Sequence, residues 1–307
     1  MINQNDIRAA AARIEPHIRK TPVLRLGPDD LGLGFPIDLK LELFQHSGTF
    51  KARGATNSLL SMDIPDAGVV AASGGNHGAA VAWAAAKLSI PARIFVPEIA
   101  GSTKIGLIRA AGVEPDVVPG AYADAFAASQ AYGAESGAIS IHAYDAPATL
   151  AGQGTVGLEI DQQLPDLDVL LVAVGGGGLI GGIASWFGDR LKIVAVEPER
   201  APTLNAALRD GPETTIEVGG VAVNSLGASR IGAMCYEVAT RYGIESVLVP
   251  DNAITDAQQK LWTSARLLTE PGGAAALAAL TSGAYSPPPD ARIGVLICGA
   301  NIDPSPL

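Results

Sequence analysis

Short β-branched runs alternate with Ala/Leu-rich segments along the whole chain, and this alternation restricts the fold more than any other feature of the sequence. The β-branched runs have the length of strands, while the Ala/Leu-rich segments have a helical period. Strands that alternate with helices are typical of parallel sheets joined by crossover helices. The sequence therefore predicts an α/β protein.

Turns rich in glycine and proline separate the predicted elements. The predicted strands are Asp38–Leu43, Val69–Ala72, Ala92–Val96, Asp116–Val118, Ala138–His142, Val169–Val174, Lys192–Glu197 and Arg292–Cys298. The predicted helices include Asp6–Ile18, His77–Leu88, Thr103–Ala111, Tyr122–Tyr132, Leu150–Gln163, Leu179–Phe187, Asp256–Leu268 and Gly273–Leu280. Ligands of open α/β sheets bind beyond the carboxyl ends of strands, so we expect the loops at 73–75, 175–178 and 298–300 to converge.

Composition argues against several classes of protein. The chain has 307 residues, of which 48% are hydrophobic, and this suffices for one large domain or two medium ones. The net charge of −10 argues against a nucleic-acid partner, because phosphate backbones call for a basic surface. Cys235 and Cys298 lie far apart and the four histidines are scattered, so we expect neither a disulfide framework nor a zinc site.

The sequence also bears on the compartment. The first residues lack a basic region followed by an apolar run, so no secretory signal is visible, and two isolated cysteines suit a reducing compartment. Four glycines interrupt the apolar stretch 169–187, which a strand, a turn and a helix explain better than a membrane span. We therefore expect a cytoplasmic protein without a membrane partner.

A run of four glycines, Gly175, Gly176, Gly177 and Gly178, follows an apolar strand and opens a helix. Backbone N–H groups in such a turn can cradle a phosphate. Two alternatives stay open at this point. Glu197 ends the following predicted strand, as the acidic residue of a dinucleotide site would, so nicotinamide binding is possible. The run could also be a purely structural turn.

A second loop, Ser73-Gly74-Gly75-Asn76-His77, again joins a strand to a helix. Its glycines free the backbone, while Ser73, Asn76 and the amides can hydrogen-bond an anion such as a substrate carboxylate. Taken singly, Ser73 or Asn76 could be an ordinary helix cap. His77 could equally be a structural histidine.

Lys51 lies between small, flexible residues and an Ala/Leu-rich segment, within Ser47–Ala55. A lysine amine can condense with an aldehyde to give a Schiff base, which is how pyridoxal phosphate enzymes hold their cofactor. Most lysines are exposed, so a surface lysine at the entry of a helix is the alternative.

Together these segments resemble, in order and spacing, the serine/threonine dehydratase branch of the fold type II pyridoxal phosphate enzymes. The resemblance spans nearly the whole chain and includes Ser47–Ala55, Ser73–Gly78, Ala151–Thr155, Gly175–Gly178, Ser225–Gly227, Thr269–Ala274 and Cys298–Asn301. The Phe50-Lys51 and Gly75-Asn76-His77-Gly78 forms are similar to dehydratases rather than to cysteine synthases. The resemblance therefore favours elimination over replacement.

The resemblance also implies roles for individual residues. Lys51 would form the Schiff base and act as the base at Cα. The remaining cofactor contacts would come from Phe50, Asn76, Gly175, Gly176, Gly177, Gly178, Gly220, Glu270 and Cys298. Substrate contacts would come from Ser73, Gly74, Asn76 and His77.

The resemblance assigns these cofactor contacts to different parts of the cofactor. The four glycines would bind the phosphate, and Asn76 would face the pyridine 3-hydroxyl. Phe50 and Gly220 would lie on the two faces of the ring, and Glu270 would lie near the cofactor with a less defined role.

Cys298 stands where many relatives place a serine beside the pyridine nitrogen. A neutral thiol is a weak hydrogen-bond partner, so the carbanion should be less stabilised and should expel a β-hydroxyl promptly. The alternative is a structural cysteine at a strand end, because cysteine is often buried.

Two positions depart from the family's pattern. Gly74 stands where serine racemases carry a serine that reprotonates the opposite face of Cα, so racemisation lacks its acid. Thr203 stands where some relatives place an aspartate that ligates a divalent cation together with Glu197 and the carbonyl of Ala201. One hard oxygen ligand is thus missing, and we expect no metal, although Glu199 could substitute for it.

The resemblance implies a two-lobed, tryptophan synthase β-subunit-like fold with an open, mostly parallel sheet flanked by helices in each lobe. A large cofactor-binding domain would comprise 1–42 and 147–307, and a small substrate-binding domain 43–146. We expect no regulatory domain after Asn301 and expect a homodimer.

The expected reaction is dehydration of L-threonine or L-serine to a 2-oxo acid and ammonia. Serine racemase and 3-hydroxyaspartate dehydratase of the same fold are the alternatives. A nicotinamide-dependent dehydrogenase and a non-enzymatic binding protein are more remote.

Overall fold

The structure is a computed structural model that describes residues 1–302, with the backbone alone at positions 103 and 104. Its strands form a six-stranded and a four-stranded sheet. The strands are β1 (Val23–Leu26), β2 (Ile37–Leu41), β3 (Val69–Ala72), β4 (Ala92–Pro97), β5 (Asp116–Val118), β6 (Ile139–Ser140), β7 (Val169–Ala173), β8 (Lys192–Pro198), β9 (Glu245–Val249) and β10 (Ile293–Ile297).

The α-helices connect these strands and cover both sheets. They are α1 (Gln4–Ile14), α2 (Lys51–Ser61), α3 (Asn76–Leu88), α4 (Ser102–Ala110), α5 (Tyr122–Ser136), α6 (Pro147–Gln163), α7 (Gly178–Phe187), α8 (Thr203–Asp210), α9 (Val223–Leu226), α10 (Ala233–Arg241), α11 (Asp251–Ala265) and α12 (Pro271–Thr281). Single 3₁₀ turns occupy Glu42–Phe44, His46–Gly48, Glu98–Ala100 and Gly188–Arg190.

The large sheet has the order β1-β2-β10-β7-β8-β9, and only its edge strand β1 is antiparallel to its neighbour. β10 pairs with β2 on one side and with β7 on the other, so that Val295 lies opposite both Leu39 and Leu171. These central strands are buried along their whole length, which explains their uninterrupted apolar sequence.

The small sheet has the order β5-β4-β3-β6, and all of its pairings are parallel. The helix α3 packs against it, and alanines of the helix such as Ala80 and Ala84 share a buried apolar cluster with Val69 and Ile94 of the strands. Two mostly parallel sheets flanked by helices confirm the α/β prediction. The proposed domain boundaries at 43 and 147 stay a prediction.

The helix α2 links the two sheets. It packs against α3, which covers the small sheet, and against α6, which also packs on α7 of the large-sheet layer. Thr56, Asn57 and Ser58 are buried in these contacts although they are polar. The Ala/Leu-rich segment that follows Lys51 is this helix, although its bounds were not among the predicted ones.

The strands that the sequence did not predict, β1 and β9, are the edges of the large sheet. Both are only partly buried, so their apolar runs are short and broken by Arg25 and Glu245. The short helices α8, α9 and α10 were also not predicted. None of the described helices combines the length and the apolar character needed to cross a bilayer.

Candidate active site

The carboxyl ends of the parallel strands from both sheets meet at one cleft. Strands β3 and β4 bring loops from the small sheet, while β7 and β10 bring loops from the large sheet. This is the edge of an open α/β sheet at which ligands bind. A cavity of about 320 Å³ lies there, lined by Gly75, Asn76, Ala100, Gly101, Leu107, Val221, Asn224, Ser225, Glu270, Pro271, Asn301 and Ile302.

Lys51 is the first residue of α2 and is held beside the end of β10. Thr49 forms an isolated antiparallel bridge with Gly299, and the N–H of Phe50 donates to the carbonyl of Cys298 at 3.2 Å. Ser47 adopts a left-handed conformation, with φ of 58°, which turns the chain into this short pairing. The lysine is thereby fixed relative to the large sheet.

Lys51 is half-buried, and its amine donates a hydrogen bond of 2.7 Å to the carbonyl of Ala143. Burial lowers the pKa of this amine to about 8, although the nearby Glu270 carboxylate favours the charged form. A lysine with a lowered pKa has a substantial neutral fraction near neutral pH. It can therefore act as a nucleophile or as a base.

We expect the reactivity of Lys51 to rise with pH up to a midpoint near 8 and then to level off, because only the neutral amine reacts and burial sets its pKa near that value. In the cofactor-free protein, carbamylation of Lys51 by cyanate can be followed at each pH by peptide mass spectrometry. A model-peptide lysine, with a pKa of about 10.4, is the reference. A Lys51 midpoint above about 10 would contradict the placement of the amine.

Glu270→Gln should move this midpoint down, since the Glu270 carboxylate is one of the groups that favour the charged amine. An unchanged midpoint in that variant would show that Glu270 does not act on Lys51.

Asn76, the first residue of α3, is held by two groups from the large-sheet side. Its Nδ2 donates to Oε1 of Glu270 at 2.7 Å, and its Oδ1 accepts from Nδ2 of Asn301 at 2.8 Å. The carboxylate can only accept, so the orientation of the Asn76 amide is determined. Asn301 Nδ2 also donates to the carbonyl of Ser47 at 2.9 Å. Asn301 therefore connects the turn before Lys51 to Asn76, a role that the sequence did not indicate.

Cys298 and Glu270 flank the lysine on the large-sheet side. The Cys298 thiol donates to the carbonyl of Gly272 at 3.4 Å, and burial raises its pKa, so it remains neutral. Glu270 immediately precedes α12 and is 5% exposed. Its carboxylate occupies the space that a side chain at position 299 would need, which requires the glycine found there.

The loop after β3 contains three further predicted site residues. Ser73 Oγ accepts a hydrogen bond from the N–H of Gly75 at 3.2 Å. The ring of His77 is buried, and its Nε2 is 2.8 Å from the carbonyl of Ile141. Burial and the charge of Lys51 lower the pKa of His77 to about 3, so its ring is neutral. His77 is not among the residues that line the cavity, and neither are Lys51, Ser73 and the four glycines at 175–178.

The first three carbonyls of the glycine loop point to protein donors. Those of Gly176 and Gly177 accept from the N–H groups of Gly232 at 3.0 Å and Gly181 at 2.8 Å, and that of Gly175 accepts from Thr203 Oγ1 at 2.6 Å. The N–H of a trans peptide points opposite to its carbonyl. Consequently the N–H groups of residues 176, 177 and 178 are turned to the other side of the loop, as a cradle for an anion requires.

The loop also has no room for side chains. A Cβ at Gly176 or Gly178 would collide with Tyr144, and Gly177 has φ of 88°, which favours glycine. The helix α7 then begins at Gly178 without a side-chain cap. Its first N–H groups therefore add to the positive end of the helix. The donor set fits a phosphate.

The remaining predicted cofactor contacts are close by. Phe50 precedes Lys51, whose Nζ is 5.3 Å from the centroid of the Phe50 ring. Gly220 has φ of 81° and directly precedes Val221, which lines the cavity. The 143–144 segment was not predicted, yet Ala143 binds the lysine amine and Tyr144 packs under the glycine loop.

The residues considered for a metal have protein partners. Glu197 is fully buried and accepts from the N–H groups of Leu204 at 2.7 Å and Asn205 at 2.8 Å. The carbonyl of Ala201 accepts from the N–H of Thr203 at 3.1 Å. Across residues 1–302, no cluster of three or more His, Cys, Asp or Glu side chains could hold a metal ion.

Fold and site together define an α/β enzyme with an amine of lowered pKa, a phosphate loop and a cleft between two sheets. Residues 14–299 match the family described as "Pyridoxal-phosphate dependent enzyme". The chain belongs to this family, and its cofactor is pyridoxal phosphate. The family assignment gives no support to the nicotinamide alternative, which we do not retain.

The chain is similar to relatives with different activities. It is 34% identical to a serine racemase of Oryza sativa subsp. indica, over 97% of this chain and 91% of the relative. It is 33% identical to an L-threonine ammonia-lyase of Thermotoga maritima, over 99% of this chain and 76% of the relative. The structure of maize serine racemase superposes with a TM-score of 0.93 at 32% identity, covering 99% of this chain and 95% of the other. These similarities confirm the fold type II prediction.

Proposed function

We propose that this protein is an L-threonine/L-serine dehydratase, which removes water from a β-hydroxy amino acid and releases a 2-oxo acid and ammonia. The observation that carries the proposal is the pairing of a basic Lys51 with Gly74, a residue that can supply no acid. Relatives include an ammonia-lyase and a racemase, and these two reactions differ in whether Cα is reprotonated from the opposite face.

The site residues would divide among cofactor binding, proton removal and substrate orientation. Pyridoxal phosphate, when bound, supplies an aldehyde that links to amines and a ring that withdraws electrons from the substrate Cα. Lys51 would hold the cofactor and then remove the Cα proton. The N–H groups of 176–178 would bind the phosphate, and Ser73 and Asn76 would orient the substrate carboxylate. Phe50, Gly220, Glu270 and the neutral thiol of Cys298 would surround the ring.

Gly74 supports elimination for two reasons. It has no acidic group, and its neighbours leave no space for a larger side chain. A Cβ at this position would lie 2.7 Å from Cβ of Ala100 and 2.9 Å from Cγ1 of Val96. A serine at 74 would therefore need the Glu98–Ala100 turn to move. With no acid at this position, Lys51 would act alone, and loss of the β-hydroxyl would outpace inversion.

The cavity lining supports a substrate with a neutral side chain. Among the described residues that line it, none is Lys or Arg, whereas one, Glu270, is acidic. A second substrate carboxylate, as in 3-hydroxyaspartate, would need a cationic partner to offset its desolvation. Ala100, Leu107 and Val221 instead offer apolar surface that suits the methyl group of threonine.

Purified protein is expected to release 2-oxobutanoate from L-threonine in buffer that contains a chelator, because Glu197 is satisfied by protein donors and needs no cation. A coupled lactate dehydrogenase assay measures the 2-oxo acid, and chiral chromatography measures D-serine formed from L-serine. L-threo-3-hydroxyaspartate in the same assay is the comparison substrate.

Three results would contradict the proposal. These are D-serine as the main product from L-serine, strong activation by magnesium, and faster turnover of 3-hydroxyaspartate than of threonine.

We further propose a cytoplasmic homodimer with a small substrate-binding domain at 43–146 inserted into the large one. The assignment of strands to the two sheets supports these domain boundaries. Strands β3 to β6 form the small sheet, and the strands before and after them in the chain form the large sheet. Size-exclusion chromatography with light scattering would test the dimer.

A further inference from the structure

The glycine loop depends on one side chain. The carbonyls of Gly176 and Gly177 accept from backbone N–H groups, whereas the carbonyl of Gly175 accepts from the hydroxyl of Thr203 at 2.6 Å. The other oxygen near this hydroxyl, Oε1 of Glu197, is 3.3 Å away. Thr203 has a single hydroxyl proton, so the shorter contact identifies Gly175 as its acceptor.

Thr203 is itself held in place. It is 1% exposed and is the first residue of α8. The Glu197 carboxylate accepts from the next two N–H groups of that helix and from Ser246 Oγ of β9 at 2.7 Å. A carboxylate at a helix N-terminus is favourable because it meets the positive end of the helix. The start of α8 is thus fixed to β8 and β9, and the hydroxyl cannot follow a movement of the glycine loop.

We propose that Thr203 is a positioning residue for the phosphate of the cofactor. Its hydroxyl holds the carbonyl of Gly175, and this orients the N–H of Gly176, which belongs to the same planar peptide, toward the anion side of the loop. Two glycines flank this peptide and leave it free to rotate when the hydrogen bond is lost. A rotated peptide presents a carbonyl oxygen to the phosphate instead of a donor. This role goes beyond the proposed reaction, because it concerns the cofactor and not the amino acid.

The test compares ligands with and without a phosphate, using the full chain stripped of cofactor. Thr203→Val keeps the size of the side chain and removes the donor. We expect it to weaken pyridoxal phosphate binding by about tenfold, as loss of one oriented hydrogen bond implies. Inorganic phosphate should compete less well in this variant. Pyridoxal, which lacks the phosphate, should bind as it does to the wild type.

Two further variants keep the test decisive where the valine variant does not fold. Thr203→Ser and Thr203→Cys both lack the methyl group and differ in donor strength. The Thr203→Ser variant should bind pyridoxal phosphate within about threefold of wild type, and the Thr203→Cys variant, whose thiol is a weak donor, should bind it more weakly than Thr203→Ser. Equal affinity of the serine and cysteine variants would overturn the proposal.

Thr155→Val is the control for loss of a buried hydroxyl, since Thr155 also donates to a glycine carbonyl, that of Gly152 at 2.7 Å, and accepts from Nη1 of Arg53 at 3.2 Å. It should lower the melting temperature without a selective loss of phosphate-bearing ligands. If Thr203→Val weakens the binding of pyridoxal and of pyridoxal phosphate equally, or weakens the binding of neither, Thr203 does not position the glycine loop.

Discussion

Replacement of Lys51 by alanine is expected to lower kcat for 2-oxo acid release by at least about 10⁴-fold. A positioned general base contributes about 10²–10⁴-fold by itself, and the variant also loses the covalent attachment of the cofactor. The Lys51 amine is placed for both tasks, since burial lowers its pKa to about 8 and Ala143 holds it at 2.7 Å. The coupled assay measures the rate, and borohydride reduction followed by mass spectrometry measures attachment.

Lys87→Ala is the control, because the Lys87 side chain is exposed on α3, whereas the Lys51 amine binds the carbonyl of Ala143. It should keep wild-type activity and attachment. Loss of attachment with retained turnover in Lys51→Ala would show that another amine carries the reaction. An unchanged rate and an unchanged attachment would remove Lys51 from the site altogether.

The parts of the fold that the sequence predicts well are those with a single buried environment. The strand β7 ends within one residue of its predicted end because both of its faces are buried and its sequence is continuously apolar. The bounds of α2 were not predicted, since its buried side chains include small polar residues such as Thr56 and Ser58 and no continuous apolar face marks its extent. Tertiary packing, which no local pattern records, decides its structure.

The site divides in a similar way. The resemblance places Lys51, Asn76, Glu270 and Cys298 at strand or helix ends, and the structure brings these ends to one cleft. Contacts to backbone carbonyls leave no signature in a sequence, so the partner of the lysine amine at Ala143 was not predictable. The hydrogen bond between Asn301 and Asn76 joins residues 225 positions apart, so no local sequence pattern could predict it either.

A buried ionic network fixes the helix that carries Lys51. Arg53 is fully buried and donates to both oxygens of Glu42, at 2.8 and 2.7 Å, and to Glu159 of α6 at 2.7 Å. Lys40 of β2 donates to the other oxygen of Glu159 at 2.7 Å. Burial opposes the charge on Arg53, yet the two carboxylates raise its pKa. The network therefore fixes α2 to the large sheet and to α6 at a position two residues after Lys51.

Arg53→Met is expected to lower the free energy of unfolding by about 3–5 kcal/mol, because it leaves the carboxylates of Glu42 and Glu159 buried with fewer positive partners. Urea unfolding followed by circular dichroism measures the change. Arg190→Met removes a partly exposed pair with Asp161 and should cost less than about 1 kcal/mol. Arg53→Lys keeps the charge but not the bidentate geometry, so it should fall between the two.

These three variants show how far burial, charge and bidentate geometry each contribute to the stability that Arg53 provides. Equal losses for Arg53→Met and Arg190→Met would show that water reaches the two carboxylates despite their burial. A loss in Arg53→Lys as large as that in Arg53→Met would show that the bidentate geometry, rather than the charge, holds α2 in place. In the expected order, the retained charge of Arg53→Lys keeps α2 in position, and that variant should preserve more activity than Arg53→Met because Lys51 begins the same helix.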